Sequence, residues 1–451
     1  MKKTFILFIG VLFLGIFMMS CEGPIGPAGP AGENGKDGKD GKDGKDGVDA
    51  ALTCAQCHNP TNTMAIASQY ELSKHFYGEA AFEEAGNATC APCHAHEGFK
   101  YVIQNNIPAT FALNATTGKY SNSYVATSST AYGAIKCETC HLSLHKTYGT
   151  ADYAFATTAP VPLTMWAGAK TVNLPADGGK SHLCVRCHQP RPFATSSSLS
   201  DGNVVDYASL ASNPNGIYFD TEVGNAAPNK HLPSYRFHVH YGVVGAVYAG
   251  MGGVEFPGTE SYTNSYHTAN ASCQDCHTAP MFGRAGGHTF KVRSGEGALT
   301  SSTTWNFNGC NTTDCHAANK VSTTNTTYWV NPRNEIKTLL NTLADKLNAI
   351  GGGQNILHVD TDGETNLWAG ITTGNFDGYL DIYDATANPN GYWRNPGNTS
   401  AANMAKPKFP SLTNAQVGSI LNFQFALREY SLGIHNYKYI KALLKNSIAK
   451  L

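Results

Sequence analysis

Apolar residues repeat with a helical period only in the last part of the 451-residue chain. After Pro332, five apolar residues lie three or four positions apart, and a run of glycines follows at 351–353. This stripe consists of Ile336, Leu339, Leu340, Leu343 and Leu347. The spacing predicts an amphipathic helix over residues 333–350, and we expect two more helices over residues 415–430 and 437–450.

The chain before residue 330 has few long periodic segments. Charged residues make up 14% of the chain, where about a quarter is typical. Glycine, serine, threonine, asparagine and alanine dominate the connections, so this part lacks the pattern of a conventional apolar core. We therefore expect mostly coil with short α-helices and little β-structure, packed around some other apolar material.

Cysteine and histidine recur in a single arrangement that suggests what this material is. Five motifs have the form Cys-x-x-Cys-His, and a sixth has four residues between its cysteines. The cysteines are Cys54, Cys57, Cys90, Cys93, Cys137, Cys140, Cys184, Cys187, Cys273, Cys276, Cys310 and Cys315, and the following histidines are His58, His94, His141, His188, His277 and His316. On one helical turn both thiols and the imidazole share a face, which allows two thioether bonds to a haem and ligation of its iron. We predict six covalently attached c-type haems.

Two other classes of cysteine-rich protein explain the motifs less well. Zinc ribbons and disulfide-bonded domains do not require a histidine directly after every second cysteine. For the longer motif, a disulfide between Cys310 and Cys315 is the alternative, since four intervening residues demand a looped-out turn.

The histidines outside the motifs are numerous enough to supply a second ligand to every iron. Eleven remain: His75, His96, His145, His182, His231, His238, His240, His267, His288, His358 and His435. Only five methionines follow the N-terminal apolar run, which is too few for methionine ligation at six irons. The composition therefore favours low-potential haems with two histidine ligands.

The N-terminus has the pattern of an exported lipoprotein. Lys2 and Lys3 precede an apolar run over residues 5–19, and Cys21 is the one cysteine outside the motifs. We predict a signal peptide over residues 1–20 with acylation of Cys21, because fifteen apolar residues are short for a membrane-spanning helix. An uncleaved membrane anchor is the alternative. Both place the rest of the chain outside the cytoplasm, where c-type haem is attached.

Glycine recurs at every third position from residue 23 to residue 47. Only a collagen-like triple helix requires this period, because glycine alone fits at its axis. Residues 21–50 are thus predicted to form a lipid anchor and a stalk, either a homotrimeric triple helix or a flexible tether kept soluble by its lysines and aspartates.

Residues 51–451 resemble the exported multihaem c-type cytochromes. The matching segments are 73–75, 93–94, 97–99, 135–137, 140–145, 158–160, 183–189, 240–242, 252–258, 264–268, 286–290 and 433–436. The last of these, Gly-Ile-His-Asn before the terminal helix, is similar to the ending shared by pentahaem nitrite reductases and their hydroxylamine-oxidising relatives. The resemblance implies a cytochrome domain with the haem motifs in residues 51–320 and a helical part of the same domain in 321–451.

The resemblance also nominates six distal iron ligands: His75, His145, His240, His267, His288 and His435. His238 competes with His240, because the two alternate along one extended segment and only one faces a given iron. His182 is a further candidate, whereas His96, His231 and His358 are expected to serve surface or hydrogen-bonding roles. No motif ends in lysine, which departs from the nitrite reductase pattern and speaks against ammonia-forming nitrite reduction.

The predicted function is electron transfer by a lipid-anchored hexahaem cytochrome without substrate turnover of its own. We expect it at the periplasmic side or outer surface of the bacterial outer membrane, between redox protein partners. The alternatives are an oxidoreductase of small nitrogen or sulfur oxyanions with one open haem, and a subunit of a cytochrome filament. A net charge of −1 and the absence of basic clusters make nucleic acid an unsuitable partner.

Overall fold

The computed structural model describes residues 54–78, 84–107, 112–114, 119–121, 132–191, 207–220, 237–295, 303–359, 376–384, 386 and 407–451, without residues 56, 88, 89 and 167. Their α-helices, α1 to α13, are Thr63–Tyr70, Lys74–Tyr77, Ala91–His94, His96–Gln104, Cys137–Cys140, Lys180–Val185, Tyr207–Ser212, Val244–Tyr248, Tyr266–Asn270, Cys273–His277, Asn331–Ala349, Asn414–Arg428 and Tyr437–Lys450. Their strands, β1 to β8, are Ala112–Asn114, Lys119–Ser121, Val161–Pro162, Thr171–Val172, Ile217–Asp220, Leu357–Val359, Phe376–Leu380 and Ser411–Thr413. The predicted signal peptide, Cys21 and the glycine-rich stalk lie outside the described residues.

The three helices predicted near the end of the chain are confirmed as α11, α12 and α13. In α11, Pro332 lies in the first turn and the predicted apolar stripe faces inward, with Leu339 only partly buried. Helix α13 has the predicted bounds. Helix α12 ends at Arg428, two residues earlier than expected, because the backbone reverses in a loop where Tyr430, Leu432 and Gly433 have positive φ angles.

Helix α12 lies at the centre of the C-terminal part. A reciprocal pair of hydrogen bonds between Thr413 and Gln416 caps its first turn, which satisfies backbone N–H groups that have no partner within the helix. Its residues are buried on all faces, and it packs against both α11 and α13. A helix buried on every side is a core element rather than an amphipathic surface helix.

The expectation that the chain lacks a conventional apolar core is wrong for one part of the molecule. A large cluster of buried apolar residues joins α11, α12 and α13 to residues between 161 and 256. This core could not be recognised in the sequence because the segments that form it are short and far apart along the chain. The motif segments at residues 54–58, 90–94, 137–141, 273–277 and 310–316 contribute no described residue to that cluster.

Short antiparallel pairs of strands connect distant segments. Strand β5 pairs with β8, so Ile217 lies opposite Thr413 at the start of α12. Strand β6 pairs with β7, and β3 and β4 form a hairpin that precedes α6. Among the residues that the structure describes, no helix is long and apolar enough to cross a lipid bilayer.

Candidate metal centres

Each short motif forms one helical turn that closes on its own histidine. The backbone N–H of the histidine donates to the carbonyl of the first cysteine, four residues earlier. The N···O distances are 2.7 Å for His58 to Cys54, 3.1 Å for His94 to Cys90, 3.0 Å for His141 to Cys137 and 2.9 Å for His188 to Cys184. The fifth motif coincides with helix α10. This hydrogen bond places the two cysteines and the histidine on one face.

The longer motif closes in a similar way with a wider loop. The His316 N–H donates to the Cys310 carbonyl at 3.1 Å, across six residues rather than four. Inside the loop, the Cys315 N–H donates to the Thr312 carbonyl at 3.2 Å. Cys310 and Cys315 are free thiols in the structure.

Five motif histidines lie next to a histidine from a different segment of the chain. The ring centroids are 5.7 Å apart for His58 and His145, 6.0 Å for His75 and His188, 6.3 Å for His94 and His240, 6.2 Å for His267 and His316, and 6.2 Å for His277 and His435. For His141, in the third motif, the nearby candidate is His288, whose pKa is lowered by burial and then by the charge of His141. Five candidate distal ligands therefore lie by five different motif histidines.

The separation of these rings matches the geometry of one metal ion held between two imidazoles. Two metal–nitrogen bonds of about 2 Å and two ring half-widths of about 1 Å place the centroids about 6 Å apart. Two protein ligands suffice for a six-coordinate iron when a planar macrocycle supplies the other four ligand atoms, as haem does. The sequence left the pairing of distal to proximal histidines open, and the structure brings five of the candidates into ring pairs with motif histidines.

Hydrogen bonds at Nδ1 orient four of the rings. The Nδ1 atoms of His141, His267 and His277 lie 2.9, 3.1 and 2.8 Å from the backbone carbonyls of Tyr153, Ile434 and Phe290. The Nδ1 atom of His435 lies 2.8 Å from a carboxylate oxygen of Glu429. With Nδ1 occupied, Nε2 is the nitrogen available to a metal, and the partner fixes the orientation of the ring.

Burial keeps several of these imidazoles neutral, which is the form that binds metal. Burial, followed by the charges of neighbouring histidines, lowers the pKa of His188 to about 3. Burial is also the main cause that lowers the pKa of His277, to about 4. Burial also lowers the pKa values of His75 and His240.

Three other histidines are engaged in hydrogen bonds. In His182, Nδ1 donates to the Thr158 carbonyl at 2.7 Å and Nε2 accepts from the Leu174 N–H at 2.7 Å. Both ring nitrogens are thus used, so His182 is a structural residue in this fold rather than an iron ligand. His96 bonds Thr139 through Nδ1, and His358 bonds Asp377. His231 lies outside the described residues.

His238 and His240, the two rival candidates, have different neighbours. His240 lies beside His94, whereas Nδ1 of His238 accepts from the His240 backbone N–H at 3.0 Å and from the Arg428 guanidinium at 2.5 Å. His238 therefore supports the segment that presents His240.

Residues of different motifs contact one another. The Cys93 thiol donates to the Arg186 carbonyl of the fourth motif at 3.8 Å, and the Gln274 amide of the fifth motif donates to the Cys184 sulfur at 3.8 Å. Gly309, directly before the sixth motif, packs against the backbone of Cys276. These contacts bring the second, fourth, fifth and sixth motifs into one continuous array.

The residues around the motifs fit a bound haem. Arg428 is fully buried, and its Nε atom has no hydrogen-bond partner among the described residues. It lies over the Tyr241 ring at 4.3 Å and next to His240. A buried cation with an unused donor is costly unless an anion is present, and a haem brings two carboxylates. The motif segments that lie outside the apolar cluster have no such core to pack against, and a bound macrocycle would provide an apolar surface for them.

Sequence reasoning did not identify Glu429, Arg428 or Asn436 as parts of these sites. Asn436 follows His435, and its side chain accepts from the Ser265 N–H at 3.0 Å and donates to Asn264 at 2.8 Å. It thereby ties the loop before α13 to the segment that carries His267. The only available signal was the Gly-Ile-His-Asn sequence itself.

In the described part of the chain, no group of three or more His, Cys, Asp or Glu side chains is arranged to hold a metal ion by itself. No protein-family model, no curated protein and no solved structure matches this chain.

Proposed function

We propose that this chain is a lipid-anchored electron-transfer cytochrome of the bacterial cell envelope, with six covalently bound c-type haems. The observation that carries the proposal is the pairing of five motif histidines with a second histidine from elsewhere in the chain. A ring separation of about 6 Å recurs in these pairs, as expected for a metal between two imidazoles.

The protein residues would perform three tasks at each site. The two cysteines would hold the macrocycle through thioether bonds, the motif histidine would ligate the iron, and the facing histidine would fill the remaining axial position. When bound, a c-type haem supplies reversible one-electron transfer between ferric and ferrous iron. A second histidine would occupy the place that a substrate needs at the iron, which favours electron transfer over an oxidoreductase activity.

The contacts between motifs support a relay rather than isolated centres. The fourth motif touches the second through Arg186 and the fifth through Cys184, and Cys276 of the fifth packs against Gly309, directly before the sixth. Residues 156–158 join the third motif to the fourth, because the Ala156 N–H donates to the Cys140 carbonyl at 2.7 Å and the Thr158 carbonyl accepts from His182, two residues before Cys184.

Tyr153 connects the first and third motifs. Its carbonyl accepts from Nδ1 of His141 in the third motif, and its hydroxyl lies close enough to the Cys57 thiol of the first motif for that thiol to raise its pKa. We infer a path that runs from the first motif through the third, fourth and fifth to the sixth, with the second as a branch from the fourth.

Acylation of Cys21 would tether this domain to a membrane, and the glycine-rich segment would hold it away from the surface as a spacer. The donor and the acceptor would then be redox proteins of the periplasm or cell surface.

The test is the haem content and spin state of the full-length exported protein. We expect six haems per chain by pyridine haemochrome assay and low-temperature electron paramagnetic resonance (EPR) signals from low-spin haem alone. A colourless protein would refute the proposal. A high-spin signal from about one haem in six would instead favour an enzyme with an open site, and turnover of nitrite, hydroxylamine or tetrathionate would then establish it.

A further inference from the structure

Glu429 is a buried carboxylate in direct contact with a candidate iron ligand. Its side chain is fully shielded from solvent, and one of its oxygens lies 2.8 Å from Nδ1 of His435. His435 in turn faces His277 with the two rings nearly parallel. His277 has a backbone carbonyl at its own Nδ1, so the two ligands of this site have different partners.

The loop after α12 is built around this carboxylate. Glu429 accepts from the Gly433 N–H at 2.7 Å and the Ser431 N–H at 3.1 Å, and it also accepts from the Ser431 hydroxyl. The left-handed backbone at Tyr430, Leu432 and Gly433 folds the loop so that these donors converge. Non-glycine residues adopt such angles at a cost, which the surrounding contacts must offset.

A negative charge at this position acts on the oxidation state of the site. Oxidised iron carries one more positive charge than reduced iron, so a carboxylate bonded to the ligand stabilises the oxidised form. Because Glu429 is excluded from water, solvent screens this attraction little. A backbone carbonyl, which bears no net charge, supplies much less of this effect.

We propose that Glu429 is a positioning residue that lowers the reduction potential of the haem bound between His277 and His435. This inference rests on the proposed function. The fifth motif touches both the fourth and the sixth, so electrons bound for the site of His267 and His316 would pass through this centre. Glu429 would thereby control the flow toward the sixth haem.

The same loop also reaches that next site. The carbonyl of Ile434 lies 3.1 Å from Nδ1 of His267, which faces His316. Two neighbouring ligands are therefore held by one loop, through a charged group in one case and a neutral group in the other.

The test is a redox titration of the full-length protein, followed by haem absorbance, with the Glu429→Gln variant. We expect one of the six one-electron steps to move to a higher potential and the low-temperature EPR signal of one low-spin haem to shift. Glu260→Gln is the matched control, because Glu260 is a partly exposed carboxylate that pairs with Lys445 rather than with a histidine. It should leave all six steps in place.

Two further variants separate charge from loop architecture. Glu429→Asp keeps the charge and should shift the same step less than Glu429→Gln does. Ser431→Ala removes the hydroxyl that donates to Glu429 and accepts from the His435 backbone N–H, but it keeps the carboxylate on His435, so the step should not rise. If Glu429→Gln does not fold, the smaller rise expected for Glu429→Asp tests the inference. Equal shifts for Gln and Asp, a rise with Ser431→Ala, or unshifted steps in Glu429→Gln would overturn the inference. A wild-type protein without haem absorbance would refute the proposed function instead.

Discussion

His182 should stabilise the fold without ligating iron, and its replacement by alanine tests this assignment. The side chain is 2% exposed and lies in α6, next to the fourth motif. Its two ring nitrogens bond the Thr158 carbonyl and the Leu174 N–H, which flank the β3–β4 hairpin. His182 therefore fixes the hairpin to the helix that carries Cys184.

The cost of the substitution follows from the two hydrogen bonds. His182→Ala leaves one backbone carbonyl and one backbone N–H without their partner, and each orphaned buried group costs about 1–3 kcal/mol. We expect the free energy of unfolding to fall by about 2–5 kcal/mol. The matched control is His96→Ala, because His96 is 6% exposed and bonds a side chain, the Thr139 hydroxyl, instead. The Thr139 hydroxyl keeps the hydrogen bond that it accepts from the Lys136 N–H at 3.0 Å, so this loss should be smaller, about 1–2 kcal/mol.

The measurements are urea unfolding followed by far-UV circular dichroism, together with haem content and EPR of the folded variants. Both variants should keep six haems, all low-spin. Equal losses of stability for the two variants would refute the hydrogen-bond argument. A high-spin signal in His182→Ala would show that His182 ligates an iron, contrary to its geometry.

The remaining predictions concern one ligand pair and one pH dependence. His240→Ala should convert one haem of six to high-spin by EPR, since His240 is the histidine facing His94, whereas His238→Ala should leave every haem low-spin; the opposite result would exchange their roles. Burial is the largest single influence on the pKa of Glu97 and raises it, but backbone hydrogen bonds, including the one from the Gly133 N–H at 2.6 Å, and the charges of His96 and Lys136 together lower the pKa overall. A lowered pKa stabilises the fold above the unfolded-state pKa of about 4.3, and this contribution is lost as the pH falls through the folded-state pKa. Glu97→Gln should therefore cost about 0.5–1 kcal/mol at pH 7, as befits a partly exposed group, and its stability curve should meet that of the wild type in acid; a pH-independent difference would contradict this.

The C-terminal helices could be predicted from the sequence because helical periodicity is a local property. The stripe from Ile336 to Leu347 lies on one face of α11 whatever surrounds it. The end of α12 could not be predicted from the sequence. The residues with left-handed backbone that end this helix adopt that conformation because it lets the loop donate to Glu429. The apolar core was missed for a related reason, because it joins short segments that have no period of their own.

The motif geometry and the set of candidate ligands follow from the sequence alone. Cys-x-x-Cys-His closes on a single helical turn, so its chemistry depends on residues at most four positions apart. The pairing of ligands depended on tertiary structure: His94 meets His240, and His277 meets His435, across more than a hundred residues. The separate roles of His182 and His238 depended on it as well, since a ring nitrogen that already holds a hydrogen bond is unavailable to a metal, and only the folded chain determines which nitrogens are occupied.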